Sequence, residues 1–298
     1  MALELYTKVI QLYPYTFHGI QAKDRVRALG VNPDTLMKNK VSASPKEEVS
    51  PKLNRPLNAK ENFHYIRANE LAKLGLMQEA RNEIGELQKS IQKNLTGVLW
   101  LSHLYHKAQG YAESLRLLHL YKDFTTKPRE KNLSPEFWKH FFPLAYEEAV
   151  LAYAKSRKVD PFFVNGIIRQ ESLFDSQALS PAGARGLMQI MPATGKKLYP
   201  KTKLKKPFET DALFDPELNI RLGVKYVSQL NKRFGKNGMH ILISYNAGPH
   251  VLKKWLKRFG HLSDQDVFIE SIPYPETRRY VKHVLRNLGI YKALYSPS

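Results

Sequence analysis

Residues 159–198, VDPFFVNGIIRQESLFDSQALSPAGARGLMQIMPATGKKL, constrain the fold most, because a helix, two tight turns and a candidate acid have to meet within them. Asp160-Pro161 reads as an N-cap followed by a first-turn proline, and Phe162, Val164, Ile167 and Ile168 then fall on one helical face. Glu171 is thereby predicted near the end of a short amphipathic helix, with its carboxyl group on a rigid element. Ser180-Pro181 reads as a further helix start or turn, and Gly183 and Gly186 bracket a segment whose backbone must bend tightly. The run Leu187, Met188, Gln189, Ile190, Met191 then ends at a stop, Pro192.

A glutamate among aromatic and apolar residues is suited to general acid work, since desolvation disfavours the carboxylate and raises its pKa toward working pH. Gln189 offers both a donor and an acceptor to a neutral amide or a sugar hydroxyl. Spacing alone does not carry catalysis, because a single helical Glu beside Arg169 and Gln170 is ordinarily a surface residue. Asp175 would return to the side of Glu171 only if the helix continued that far; the following Ser-Gln-Ala-Leu-Ser has turn character, so Asp175 is expected to cap or bend the chain.

Four motifs in order change the weight of that glutamate: Glu171-Ser172; Ser180-Pro-Ala-Gly-Ala-Arg-Gly-Leu-Met-Gln189; Tyr245-Asn-Ala-Gly-Pro249; and Ile272-Pro-Tyr-Pro-Glu276-Thr-Arg278-Arg-Tyr280. Together they resemble the soluble lytic transglycosylase family, over about residues 145–294, with 146–157 similar to the family's lead-in helix. The resemblance implies an all-α, lysozyme-like catalytic domain that cuts the β-1,4 bond between N-acetylmuramic acid and N-acetylglucosamine in peptidoglycan. It implies Glu171 as catalytic acid/base, with Ser180, Gln189, Met191, Tyr245, Asn246, Glu276 and Tyr280 lining the site. Ser180 would hydrogen-bond the carboxyl or polarise a lactyl or N-acetyl oxygen, Tyr245 would donate to Glu171, Gln189 would read an N-acetyl amide, and Met191 would form an apolar wall. Glu276, beside Arg278 and Arg279, reads equally as a structural ion pair or a substrate contact. The family pattern continues with a second glycine after Gly-Pro, where this chain has His250.

The mechanism implied follows from one acid without a partner. A two-carboxylate glycosidase needs a second Asp or Glu at ~5–5.5 Å or ~6.5–9.5 Å, and no motif supplies one. A nucleophile internal to the substrate removes the need, giving a 1,6-anhydromuramoyl product. A muramidase-type hydrolase and a non-catalytic glycan-binding or scaffolding module are the alternatives.

Charge bears on the partner. Of a formal +20, residues 149–298 carry 25 basic against 11 acidic side chains, and residues 1–148 carry 22 against 16. The cationic surplus thus travels with the motif-bearing half and favours polyanions; residues 196–206, with six lysines, read as a solvated loop or as a rim that meets acidic wall substituents. A nucleic-acid partner is not expected, because no motif interleaves aromatic and basic residues for base recognition. Cysteine is absent, and neither a cofactor nor a metal is expected. No apolar run is long enough to span a membrane, and the first residues lack the pattern of a signal peptide. The expected location is the periplasm or cell envelope, with a signal segment removed or outside this chain.

The remaining organisation is read from periodicity. Leu3, Tyr6, Val9, Ile10 and Tyr13 predict a helix broken at Pro14, in a short helical segment 1–30. Residues 31–60, with prolines 33, 45, 51 and 56, predict a linker or loop. Across 61–144 two stretches echo each other, with Gly75 and Gly110 at matching places and Glu79 and Glu113 following, as in helical-hairpin repeats. This segment is expected to be repeat-like and is a candidate surface for cell-envelope protein partners; the catalytic domain is expected over 145–298. His103 and His106 share a helix face with no acidic ligand at metal-binding spacing. Trp138, Phe141, Phe142 and Pro143 are expected to pack the two halves together.

Overall fold

The computed structural model describes residues 2–36, 52–91, 94–121, 135–199, 207–235 and 237–296. Within them the chain is built from α-helices, and the β pairing present consists of isolated antiparallel bridges joining Leu179 to Arg185 and Arg185 to Ile190. The expected all-α class is therefore met. Two compact units form, one from Met1–Val31 with Tyr146–Ser298, the other from Asn32–Ala145. The short N-terminal segment thus packs with the motif-bearing residues, an association that periodicity did not reveal.

The first unit opens with α1 (Ala2–Leu12) and α2 (Phe17–Ala28). Thr16 caps α2 by accepting from the Gly19 backbone N–H at 3.1 Å. The second unit contains α3 (Ala59–Lys73), α4 (Met77–Ser90), α5 (Leu95–Lys107), α6 (Tyr111–Tyr121) and α7 (Pro135–Phe141). Two successive hairpins, α3–α4 and α5–α6, occupy the echoing stretches. Gly75 takes a left-handed φ of 78° between α3 and α4, but in the second hairpin that conformation falls to Gln109 (φ 53°). Gly110 is small for another reason: a Cβ there would lie 2.8 Å from Arg81 Cδ, and Arg81 donates to the Ala108 carbonyl at 3.1 Å, tying one hairpin to the next turn.

Phe137, Trp138, Phe141 and Phe142 are buried and meet one another through edge-on, tilted and stacked ring contacts in the second unit, where α7 packs on α5 and α6. His106 faces Ser114 Oγ at 3.1 Å and His140 Nδ1 at 3.3 Å; burial is the leading reason that His106 is held down at about 3 and His140 at about 4, so both rings are neutral at ordinary pH. Of the linker expected over 31–60, residues 37–51 lie outside the described residues, as do residues 200–206 of the lysine-rich rim. The described part of 31–60 includes a short 3-10 turn, Pro33–Leu36, and the Asn58 N-cap of α3.

The first unit resumes with α8 (Glu147–Arg157), α9 (Pro161–Ser172), α10 (Pro192–Leu198), α11 (Pro216–Phe234), α12 (Gly238–Ala247), α13 (Pro249–Phe259), α14 (Gln265–Glu270) and α15 (Pro275–Tyr295). The start of α9 is the one the sequence predicts, and α11 begins in the same way. Asp160 and Asp215 cap α9 and α11, accepting from Phe162 N at 2.9 Å and Leu218 N at 2.7 Å, each with proline in the first turn. Gly235 closes α11 in a left-handed conformation. Pro192 ends the apolar-polar run, as expected, and also starts α10, where proline is favoured because the first-turn N–H has no intrahelical partner. The longest element is α15, whose buried side chains include Tyr280, Val281, Val284, Ile290 and Tyr291, and it packs against α2, α9, α12 and α14. None of the described helices is long and apolar enough to cross a membrane.

Candidate active site

Close helix packing brings the site together. Gly166 on α9 sits against α15, where a Cβ would already lie 3.4 Å from the Val284 carbonyl and 3.5 Å from the Leu288 N. Asn287 Nδ2 donates to the Gly166 carbonyl at 3.3 Å, and Lys292 pairs with Asp160 at 3.1 Å. Residue number rises along α9 as it falls along α15, so the two helices run antiparallel. Advancing from Gly166 to Glu171 on α9 therefore reaches Tyr280 on α15, with Glu276 one turn beyond. The Tyr280 hydroxyl is buried and lies near enough to the Glu171 carboxyl to favour its ionised form as a hydrogen-bond donor.

The Glu171 side chain is only partly accessible. Burial is the main influence on it, raising its pKa from the usual carboxylate range to about 7; Tyr280 opposes that rise and the Glu276 carboxylate adds to it. Glu276 itself is exposed on the first turn of α15. Arg278 donates to the Glu270 carbonyl at 2.9 Å, and among the described residues no ion pair to Glu276 occurs.

After Ser172 the chain turns sharply. Leu173 and Phe174 both adopt left-handed φ values, 51° and 65°, which α9 cannot continue through. Asp175 follows in a tight turn, its Oδ1 accepting from the Gln177 N at 3.0 Å. It lies off the helix that carries Glu171, as its turn-like context predicts.

The loop from 178 to 191 is held by donors and acceptors that spacing did not single out. Asn219 is fully buried on α11; its Oδ1 accepts from Met188 N at 2.8 Å while its Nδ2 donates to the Leu213 and Arg185 carbonyls at 2.7 and 2.9 Å. Ser172 Oγ donates to Leu187 O at 2.9 Å, linking the end of α9 to the same loop. Gly186 is obligatory there, with φ 72° and a Cβ position only 2.3 Å from the Leu213 carbonyl. Gly223 on α11 leaves room for Met188, whose Sδ would lie 2.2 Å from a Cβ. The sequence signal for Asn219 is a polar residue inside the apolar face of α11, which reads as an ordinary interruption until the loop it supports is known.

The other expected lining residues differ in what they have free. Ser180 Oγ accepts from Ala184 N at 2.9 Å, leaving its proton available to donate. Gln189, at φ 45°, uses its amide nitrogen on the Ala178 and Gly186 carbonyls at 3.0 and 2.9 Å. Its Oε1 is then the group left to face a ligand, so the expected donor-plus-acceptor role reduces to an acceptor. Tyr245 donates to the Met188 carbonyl at 2.8 Å, not to Glu171, because that carbonyl lies on the loop Asn219 holds in place. Burial and the nearby Glu171 charge hold the Tyr245 and Tyr280 phenols well above their ordinary range, so both are protonated. Met191 is substantially exposed at the start of α10. Asn246 Oδ1 accepts from Thr277 Oγ at 2.7 Å, joining the end of α12 to the start of α15. Gly248, at φ 96°, then turns the chain into α13.

A family described as the transglycosylase SLT domain matches residues 148–268. The chain is 35% identical over 166 residues to the soluble lytic murein transglycosylase of Escherichia coli, covering 55% of this chain and 26% of that protein. It is 34% identical over 150 residues to the membrane-bound lytic murein transglycosylase E of Buchnera aphidicola subsp. Baizongia pistaciae, of which it covers 68%. Among solved structures, the complex of the 70 kDa soluble lytic transglycosylase with bulgecin A aligns with a TM-score of 0.74 at 26% identity, covering 99% of this chain and 43% of that one. An inactive Glu-to-Gln mutant of the lytic transglycosylase Slt from Pseudomonas aeruginosa aligns with a TM-score of 0.67 at 26% identity, covering 99% and 44%. The chain spans about a quarter of the length of the soluble murein transglycosylase from Escherichia coli.

Proposed function

The chain belongs to the lytic transglycosylase family that carries the SLT domain, and on that premise we propose that it cuts peptidoglycan glycan strands between N-acetylmuramic acid and N-acetylglucosamine, leaving a 1,6-anhydromuramoyl end. The observation that carries this reading is the Glu171 carboxyl, raised to about 7 chiefly by burial, with Tyr280 beside it. Asp175 is engaged in its own turn, and Glu276 is exposed one turn beyond Tyr280.

The proton is used twice. Protonated Glu171 donates to the glycosidic oxygen as the bond to the muramoyl C1 breaks, and N-acetylglucosamine departs with a free 4-hydroxyl. The electron-poor C1 is stabilised by the N-acetyl oxygen of the same sugar. The Glu171 carboxylate then takes the proton from the muramoyl C6 hydroxyl as that oxygen bonds to C1. Glu171 ends protonated, as it began, and no water is consumed. A hydroxyl already on the sugar, held in the correct pucker, has an effective concentration above that of bulk water.

In this reading Ser180 donates to an oxygen of the bound sugar, Gln189 Oε1 accepts from an N-acetyl N–H, and Met191 lies beneath a ring. The Tyr280 hydroxyl hydrogen-bonds the Glu171 carboxylate between the two proton transfers. Such a substrate lies in the cell envelope, where the chain would act. The test is the release of soluble fragments from purified peptidoglycan. Release should fall about a hundredfold or more in Glu171→Gln, which keeps shape but loses the transferable proton. Binding without release by the wild-type chain would instead mark a glycan-binding module.

A further inference from the structure

Three helices of the second unit meet through one run of polar contacts. His140 Nδ1 on α7 lies 3.3 Å from His106 Nδ1 on α5, His106 Nε2 lies 3.1 Å from Ser114 Oγ on α6, and Ser114 Oγ lies 2.6 Å from Ser102 Oγ, one turn before His106. Both serines and His140 are buried. The rings also touch: the His106 and His140 centroids are 4.6 Å apart, the His103 ring stands edge-on to His140 at 6.1 Å, and Tyr111 lies 5.2 Å from His106.

A contact between two Nδ1 atoms needs one proton, because one nitrogen donates and the other accepts with its lone pair. Two neutral rings supply that in either direction, with His106 Nε2 taking the opposite role toward Ser114. A first extra proton, on His106, keeps the hydrogen bonds but puts a charge in the interior. A second, on His140, sets two N–H groups head to head, and the contact becomes repulsive.

The surroundings do not offset that charge. On α5 the neighbours are His103 and the exposed Lys107, and on α7 Lys139. On α6 they are Tyr111, His119, which lies against the Phe141 ring, and Glu113, whose carboxylate faces Arg81 of α4 at 3.5 Å and Arg116 at 3.9 Å. Among the described residues, burial is the largest influence against a proton on either ring; His140 and His103 add to it for His106, and His103 for His140. We propose that the His106–His140 contact is an acid-sensitive latch, which holds α7 on the α5–α6 hairpin while both rings are neutral and releases it when both take up protons. Release uncovers Phe137, Trp138, Phe141 and Phe142, which the closed unit buries.

The direction of the effect follows from the rings. Closed, His106 is held at about 3 and His140 at about 4, against 6.5 for an exposed imidazole. Below 6.5 the open form takes up protons that the closed form refuses, so the closed form loses ground as pH falls, by up to about tenfold per pH unit for each ring. Above that value both forms are neutral and the latch holds fully.

The experiment is amide hydrogen exchange of the full chain, read by mass spectrometry between about pH 7 and pH 4 and corrected for the intrinsic rate at each pH. Protection of peptides from α5 and α7 should fall about a hundredfold or more across that range. Peptides from α9 and α15 serve as the reference and should not follow, since acid relieves the buried Glu171 charge there. His106→Gln with His140→Asn keeps an amide near each contact position but removes both titrations, and should flatten the α5 and α7 profile; His140→Asn alone should roughly halve its slope. Circular dichroism at neutral pH shows whether the double variant folds. If it does not, the wild-type slope decides, because release by two protons predicts about one to two decades of protection per pH unit below about pH 6. A flat wild-type profile overturns the proposal, as does an undiminished fall in the double variant or an equal fall in α9 and α15. None of these outcomes depends on whether the chain cuts glycan.

Discussion

At the scale of the residue, Glu171 is governed by three named influences, and they give predictions of opposite sign. Burial raises its pKa to about 7, Glu276 adds to the rise, and Tyr280 opposes it. The acid must be protonated to act, so kcat/KM should fall as pH rises through about 7. Glu276→Gln removes a like charge and should move that alkaline limb to lower pH. Tyr280→Phe removes a hydrogen bond to the carboxylate and should move it to higher pH, with slower turnover. pH–rate profiles of the three proteins decide this, and limbs that move together would contradict it. Stability follows the same linkage. Below about pH 4.5, the ordinary Glu value, the group is protonated whether folded or unfolded; above about 7 it is ionised in both, and the folded state carries the full cost of burying the charge. Glu171→Gln should therefore raise the melting temperature at pH 8, by about 1–3 kcal/mol in stability, and the gain should vanish near pH 4. A gain of equal size at both pH values would show that the carboxyl is not desolvated.

At the scale of the element, the loop from 178 to 191 is shaped by partners on α9 and α11. Gly186→Ala should cost about 2–3 kcal/mol, because a left-handed φ and a carbonyl at 2.3 Å both oppose a Cβ. Asn219→Ala would leave the Met188 N–H and the Leu213 carbonyl unpaired in the interior, at about 1–3 kcal/mol for each uncompensated group, while the Arg185 carbonyl keeps the Ile190 N–H. Thermal melts check the stability, and for Asn219→Ala turnover should fall further than the melt alone explains, since Tyr245 and Gln189 both bond to this loop. Normal turnover at temperatures where the variant is folded would separate the loop from the site. The start of α9 was legible because its capping Asp160 and first-turn Pro161 act locally. What Tyr245 and Gln189 bond to was not, because their partners are backbone carbonyls whose positions depend on distant packing.

At the scale of the whole molecule, the division of the chain is not the division of its sequence. Residues 1–31 belong with the motif-bearing unit: Phe17, Ala22 and Val26 are buried, Lys282 of α15 lies over the Phe17 ring, and Ile20 fills the space beside Gly289. Periodicity finds α1 and α2 but cannot say which partner covers them, since an apolar stripe specifies only that something must. Phe17→Ala should destabilise this unit by about 3 kcal/mol and lower the temperature at which strand cleavage is lost, although the residue lies far along the chain from every motif. An unchanged inactivation temperature would show that α1 and α2 do not support the site. The motifs were legible as a set, and the helices carrying them form the expected all-α fold; the close α9–α15 contact that joins Glu171 to Tyr280 appears only in three dimensions. The most direct test of the central claim, one acid working with a nucleophile internal to the sugar, is digestion of peptidoglycan in H₂¹⁸O followed by mass spectrometry of the new muramoyl ends. 1,6-Anhydro ends without label are expected; reducing muramic acid ends carrying ¹⁸O would show that water is the nucleophile.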